Sequence, residues 1–299
     1  MRVVGDDGLV AWCGAWNDGP RLLPRAPADV RHETATLDLC ERVALGPPAR
    51  PDAVGALRRH FLFRQDTRLA LDLHVRPEAR GRGLGGSLLA QLRVRARALG
   101  AEVVRAYAPA GDGAWSALAR RHALWEVERD RYLVLELDRA TTASCAGPEV
   151  HALAAEPAEA EREAWQLEQR LHEALETRAS YVPESFEQWR ARVLAAPGCG
   201  RETVLVSRAP GGALTGICAL RVCVAEPRSA YHAFTGVAAE VRGRGHGLAL
   251  KQAAIACARE LGARRLIADT SPGNSAMLTL NERLGYRAVL DVRNLEGRP

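Results

Sequence analysis

Two stretches of this 299-residue chain repeat one another at a fixed distance. The segment VRPEARGRGLG, Val75 to Gly85, matches VAAEVRGRGHG, Val237 to Gly247, 162 positions later. The match continues without a gap to Ala101 and Ala263, and 13 of the 27 aligned positions are identical. Shared Ala, Arg and Leu follow from a biased composition. Four glycines at one spacing (Gly81/Gly243, Gly83/Gly245, Gly85/Gly247, Gly100/Gly262) do not. Self-similarity at a single offset means one unit used twice, and a unit of roughly 150 residues is the size of a domain. The repeat therefore predicts two domains, residues 1–140 and 149–299. They are joined by the small, turn-prone segment Thr141–Pro148.

Composition narrows the function classes. Apolar residues at 47% and charged residues at 26% are those of an ordinary globular protein. No run approaches the roughly 20 apolar residues of a membrane span, and MRVVGDDGLV lacks the pattern of a secretion leader. The expectation is a cytoplasmic protein with no membrane partner. A net charge of +5 raises nucleic-acid binding. However, the basic residues (all arginine except Lys251) are interleaved with acidic ones, and aromatics are only 5%, so no nucleic-acid partner is expected. The seven cysteines are odd in number and form no C-x-x-C pair. That predicts free thiols, with neither a disulfide framework nor a metal site.

In the second half, apolar spacing predicts helices over Glu159–Glu176 and after Pro183. Strands follow at Thr203–Ser207, Leu214–Val224 and Tyr231–Val237. A helix over Leu248–Leu261, a strand at Arg265–Asp269, a helix over Ser275–Leu284 and a strand at Tyr286–Val292 complete it. Val150–Leu153 opens this half, and Tyr132–Leu137 closes the first. The start of the first half reads differently: a hairpin over Arg2–Trp12, a strand over Thr34–Val43 and a helix over Asp52–Phe63. The class is α/β (α+β), with hairpins first and crossovers later.

The glycine-rich loop carries the chemistry. In Arg242-Gly243-Arg244-Gly245-His246-Gly247, the glycines let several N–H groups converge on one concavity. The following helix adds its positive end, and the arginines add charge, which suits a pyrophosphate. No Gly-Lys-Ser/Thr follows, and the loop does not open the first βαβ unit with an acidic residue about 20 positions on, so neither a P-loop nor a dinucleotide fold is indicated.

This loop, placed after a strand and before an amphipathic helix, resembles the acetyl-CoA signature of the GNAT superfamily of N-acyltransferases. The run from Asn274 through Met277 and Asn281 to Tyr286 resembles that superfamily's second cofactor motif. The resemblance implies two tandem GNAT-like domains, each a mixed, mostly antiparallel sheet flanked by helices. It implies acetyl-CoA as cosubstrate and transfer of the acetyl group to an amine of a small molecule. The residues implied for acetyl-CoA are Val237, whose backbone polarises the thioester, Arg242, Gly243, Arg244, Gly245, His246, Gly247, Asn274 and Asn281. In the first domain they are Arg80, Gly83 and Gly85. The family places a tyrosine where this chain has Asn281, so Asn281 stabilises the leaving thiolate or another group acts.

The fixed offset pairs Asn274 with Asp112, Asn281 with Ala119 and Tyr286 with Leu124. This predicts a catalytic second domain and a degenerate first one. An acidic Asp112 beside a polyanion would also be unfavourable. For the general base, His232 and Glu226 are candidates near the third strand. The plain alternatives are a half-buried sheet histidine and a solvated turn glutamate. Glu168 and His172, one helical turn apart, either touch the acceptor or lie on a solvated face. The competing reading of the whole chain is a non-catalytic CoA-binding or protein-interaction module. Monomer and homodimer are both compatible with the sequence.

Overall fold

The computed structural model describes residues 1–19, 21–59, 67–139, 147–174 and 182–299. The linker reading at Thr141–Pro148 falls largely outside them, as do the last two residues of the helix expected over Glu159–Glu176.

Two compact units form, but they are not the contiguous halves expected from the repeat. One comprises Met1–Arg131 with Leu290–Pro299, and the other Tyr132–Val289. The first contains β1 (Arg2–Val3), α1 (Leu9–Trp16), α2 (Pro27–Thr36), β2 (Cys40–Leu45), β3 (Ala53–Arg58) and β4 (Arg68–Val75). It continues with α3 (Leu84–Ala98), β5 (Val103–Pro109), α4 (Gly113–Arg121) and most of β6 (Trp125–Glu136). The second contains β7 (Val150–Ala152), α5 (Ala160–Glu173), α6 (Phe186–Val193), β8 (Val204–Arg208), β9 (Leu214–Val222) and β10 (Ser229–Val237). It continues with α7 (His246–Glu260), β11 (Arg265–Thr270) and α8 (Ser275–Arg283); β12 (Arg287–Gly297) ends the chain.

The element order is the same in both halves of the sequence, so the duplication covers the whole domain and not only the loop region. The hairpin expected over Arg2–Trp12 is instead α1, an apolar LVAWCGAW run with Leu9, Trp12, Cys13 and Ala15 buried. Periodicity cannot separate a short apolar helix from a strand. The helix expected from Asp52 is β3, whose residues Ala53–Arg58 are all buried, so alternation is absent. The rest of that expected segment, from residue 60, lies outside the described residues. Of the strand expected over Thr34–Val43, Thr34–Thr36 end α2 and only Cys40–Val43 are extended.

In the first unit the strands run β1-β2-β3-β4-β5, with β12 beside β5. In the second they run β7-β8-β9-β10-β11, with the end of β6 beside β11. Each sheet is thus completed by the final strand of the other half of the sequence. All register pairs among β1–β4, β7–β10 and β5/β12 are antiparallel, whereas β4/β5 and β10/β11 are parallel. β12 outruns the expected Val292 because its polar residues have partners. Buried Glu296 receives Arg105 at 2.9 Å, and buried Asn294 donates to Asp130 at 2.8 Å.

Leu295 packs in the core formed by Leu71, Leu88, Leu92 and Val104. Leu295→Ala is expected to cost about 2–4 kcal/mol. Hydrogen exchange should show lost protection in β5, not in β11. Loss confined to β11 would contradict the exchange of terminal strands.

Candidate functional site

The site is built where a parallel strand pair parts. β10 and β11 are in register only over Ser229–Tyr231 and Arg265–Ile267, whereas β10 stays paired with β9 through Val237↔Gly216. A wedge therefore opens beside the second half of β10. The N–H of Ala238 bonds the Thr215 carbonyl at 2.8 Å. Backbone groups alternate sides along a strand, so the N–H of Val237 points into the wedge.

The loop after β10 completes the concavity. Gly243 and Gly245 have φ of 74° and 86°, left-handed values that a side chain disfavours. Gly245 is the N-cap of α7, whose first N–H groups have no intrahelical partner. Arg242 and Arg244 are exposed, and Arg242 Nε folds back onto the Val237 carbonyl at 3.3 Å. The first unit repeats this geometry. β4/β5 pairing ends at Leu71↔Ala106, Gly81 and Gly83 both have φ of 77°, and Arg80 Nε lies 3.3 Å from the Val75 carbonyl.

The other expected site residues divide. Asn281 is fully buried on α8, and neither its Oδ1 nor its Nδ2 has a hydrogen-bond partner. Its neighbour Leu280 lies against Gly247, near the start of α7. Asn274 instead caps α8, accepting from the Met277 N–H at 3.1 Å. Asp112 does the same for α4, accepting from Ala114 and Trp115 at 2.9 and 3.0 Å. The acidic residue is thus accounted for as an N-cap. The imidazole of His246 is turned inward, with Nδ1 3.2 Å from Ser207 Oγ, so its side chain does not line the concavity of the glycine-rich loop.

Neither expected base is placed for that role. Glu226 pairs with Arg265 just before β10 begins. At ~3.3 Å per residue, the length of the strand separates it from Val237 by roughly 26 Å. His232 is buried, with Nδ1 3.3 Å from Cys218 Sγ and Nε2 2.8 Å from the Tyr286 hydroxyl. Burial, aided by Lys251, holds it neutral, well below the usual imidazole range. Lys251, the only lysine, is itself buried 5.3 Å from the Tyr286 ring, and burial lowers its pKa to about 8.

Glu168 and His172 are not on a solvated face. Both are buried, at 0% and 2% exposure. Glu168 accepts from Trp189 Nε1 at 2.8 Å and from Arg192 at 2.6 Å, and lies 3.3 Å from His172 Nε2. The His172 ring sits 4.6 Å from Phe234, on the part of β10 that borders the wedge. A β-bulge between His232 and Phe234 turns Phe234 toward α5. The i, i+4 spacing was visible in the sequence. The indole and guanidinium that permit burial came from α6, too far along the chain to signal it.

The comparisons with known proteins agree with this architecture. The model of the Acetyltransferase (GNAT) family matches residues 161–286. Among curated proteins, none matches this sequence. Among solved structures, a tandem GNAT protein from the clavulanic acid biosynthesis pathway superposes with a TM-score of 0.75 at 20% identity, covering 99% of this chain and 97% of its own. A GCN5-related N-acetyltransferase from Sphaerobacter thermophilus gives 0.73 at 20% identity, covering 100% and 95%. One from Kribbella flavida gives 0.56 at 16%, covering 91% and 93%. At these identities the structural likeness establishes the fold. No helix among the described residues is long and apolar enough to cross a membrane.

The buried carboxylate has a pH signature. Burial alone would raise the pKa of Glu168, but Arg192, His172 and the Trp189 N–H outweigh it and hold the group at about 2, against an ordinary 4.5. A depressed carboxyl contributes stability above its unfolded value and loses it as pH falls toward its folded value. Denaturant melts should therefore show Glu168→Gln destabilised at neutral pH, with the gap to wild type closing between pH 4.5 and 2. A gap that is independent of pH would refute the ionised network.

Proposed function

From the match of residues 161–286 to the GNAT acetyltransferase family model, we propose that the second unit transfers an acetyl group from acetyl-CoA to a primary amine of a small molecule. The observation that carries this is Asn281. A fully buried amide with both polar atoms unpaired is costly, and it persists where a ligand completes it. The first unit has Ala119 at the matching position, with no polar group to satisfy.

Acetyl-CoA brings an acyl group already activated as a thioester. The loop amides of 243–247, with Arg242 and Arg244, hold the pyrophosphate. The Val237 N–H, aimed into the wedge, donates to the thioester oxygen as negative charge develops there. His172 accepts the proton that the amine gives up. Its Nε2 lies 3.3 Å from the Glu168 carboxylate, which orients the ring. The C–N bond forms, the C–S bond breaks and the sulfur leaves as thiolate. A free thiol has a pKa near 8.5, so donation from Asn281 Nδ2 supports the leaving group without supplying a proton. The first unit keeps the anion loop and the wedge, and serves as structure or as a weak CoA binder.

A thiol-release assay with an amine panel tests this. Arg242→Ala should raise KM for acetyl-CoA about tenfold or more, the scale of one lost charge-assisted contact, while Arg80→Ala leaves turnover unchanged. His172→Gln should lower kcat with little change in KM. The opposite result for the two arginines would move catalysis to the first unit. The absence of a tyrosine at position 281 favours a second reading, a non-catalytic CoA-binding module. Tight CoA binding without turnover of any amine would establish that one instead.

A further inference from the structure

In the first unit, the same stretch of splayed strand carries a different set of side chains. Asp72 and His74 occupy the β4 positions matched by Phe234 and Gly236 of β10. Around them lie arginines that are nearly all paired. Arg25 and Arg42 meet Glu33 at 2.9 and 2.8 Å, Arg58 meets Asp72 at 2.8 Å, and Arg76 meets Asp18 at 2.8 Å.

Arg21 is the exception. Among the described residues it has no carboxylate within ion-pair distance. Its Nε donates to the Trp16 carbonyl at 2.9 Å, and its guanidinium lies 4.4 Å from the centroid of the Trp16 ring. Trp16 is held in turn by stacking on buried Trp12 at 5.4 Å. Nη2 of Arg21 is buried without a partner. His74 shares the same tryptophan, with ring centroids 6.3 Å apart, and its Nε2 is likewise buried and unpartnered. Burial and the nearby Arg21 charge lower His74 to about 4, and the ring gives a hydrogen bond to the Asp18 backbone. His74 is therefore neutral, and Nε2 is an acceptor in need of a donor.

A buried donor edge of positive charge over the Trp16 ring and a buried neutral acceptor set edge-on to it thus share one aromatic side chain. Each would be costly if left permanently unmet, yet Trp16, Arg21 and His74 are only half-buried and within reach of solvent. At Arg21 the Asp72 carboxylate partly offsets the positive field of Arg25 and Arg80, and at His74 Asp18 partly offsets that of Arg21 and Arg80. We propose that this corner of the first unit binds a small α-hydroxycarboxylate. Its carboxylate takes the free edge of Arg21, its hydroxyl donates to Nε2 of His74, and its carbon skeleton lies against Trp16.

The test titrates the full-length protein with lactate, acetate and alanine while following the His74 ring resonances by NMR; no acetyl-CoA is needed. Lactate should shift His74 saturably and raise its pKa, because a bound carboxylate offsets the Arg21 charge. Acetate and alanine should bind more weakly. Arg21→Gln should weaken lactate binding about tenfold or more, as expected for one charge-assisted fork. His74→Leu should abolish the preference for lactate over acetate, a ratio that does not depend on how stable the variant is. Three results would overturn the proposal: no saturable shift with lactate into the tens of millimolar, equal binding of lactate and acetate to the wild type, or lactate binding unchanged in Arg21→Gln.

Discussion

The early parting of a parallel strand pair is the constraint on which the rest of this structure depends. A β-strand cannot leave its backbone groups bare in a protein interior. Yet β10 departs from β11 after Tyr231 while holding β9 as far as Val237. The second half of β10, including the Val237 N–H, is thereby left with an open edge. The loop that follows must then reverse direction within a few residues, which is why Gly243 and Gly245 take left-handed conformations. The N-terminal end of α7 faces the same opening. The glycine-rich turn and the strand-like slot are therefore consequences of one topological event, and β4, β5 and α3 reproduce it in the first unit.

With the backbone device held in common, the two units differ in what fills the space around it. In the second unit, α5 turns a carboxylate and an imidazole inward. Burial is tolerable because Arg192 and the Trp189 indole meet the carboxylate. In the first, α1 is apolar throughout, and the polar groups come from β4 and from the segment between α1 and α2. Asn281 and Ala119, matched in sequence, divide the units again, into one that needs a polar partner and one that does not. The same fold thus carries two different chemical environments.

Much of this was legible in the sequence, and the failures have identifiable causes. The second half was read element by element, because its helices show clean apolar spacing such as Ala164, Leu167 and Leu171. The first half was misread at α1 and β3. An apolar octet and a strand buried on both faces carry no usable period. The glycine-rich loop was legible because its glycines serve a local backbone need. The surroundings of the titratable groups were not, because burial and pairing depend on residues distant in sequence. Glu226 was near the site in chain order but at the wrong end of its strand. Glu168 and His172 looked solvated until α6 covered them.

The sequence by itself determined the duplication, the two glycine-rich loops and the inequality at Asn281 and Ala119, since these are properties of local spacing and of aligned positions. Only the tertiary structure decided that each sheet borrows its final strand from the other half of the chain. It also decided which titratable groups are buried, and that Asp112 and Asn274 are both helix caps. Strand partners, burial and cap geometry are set by residues brought together from far apart, and no local pattern encodes that meeting.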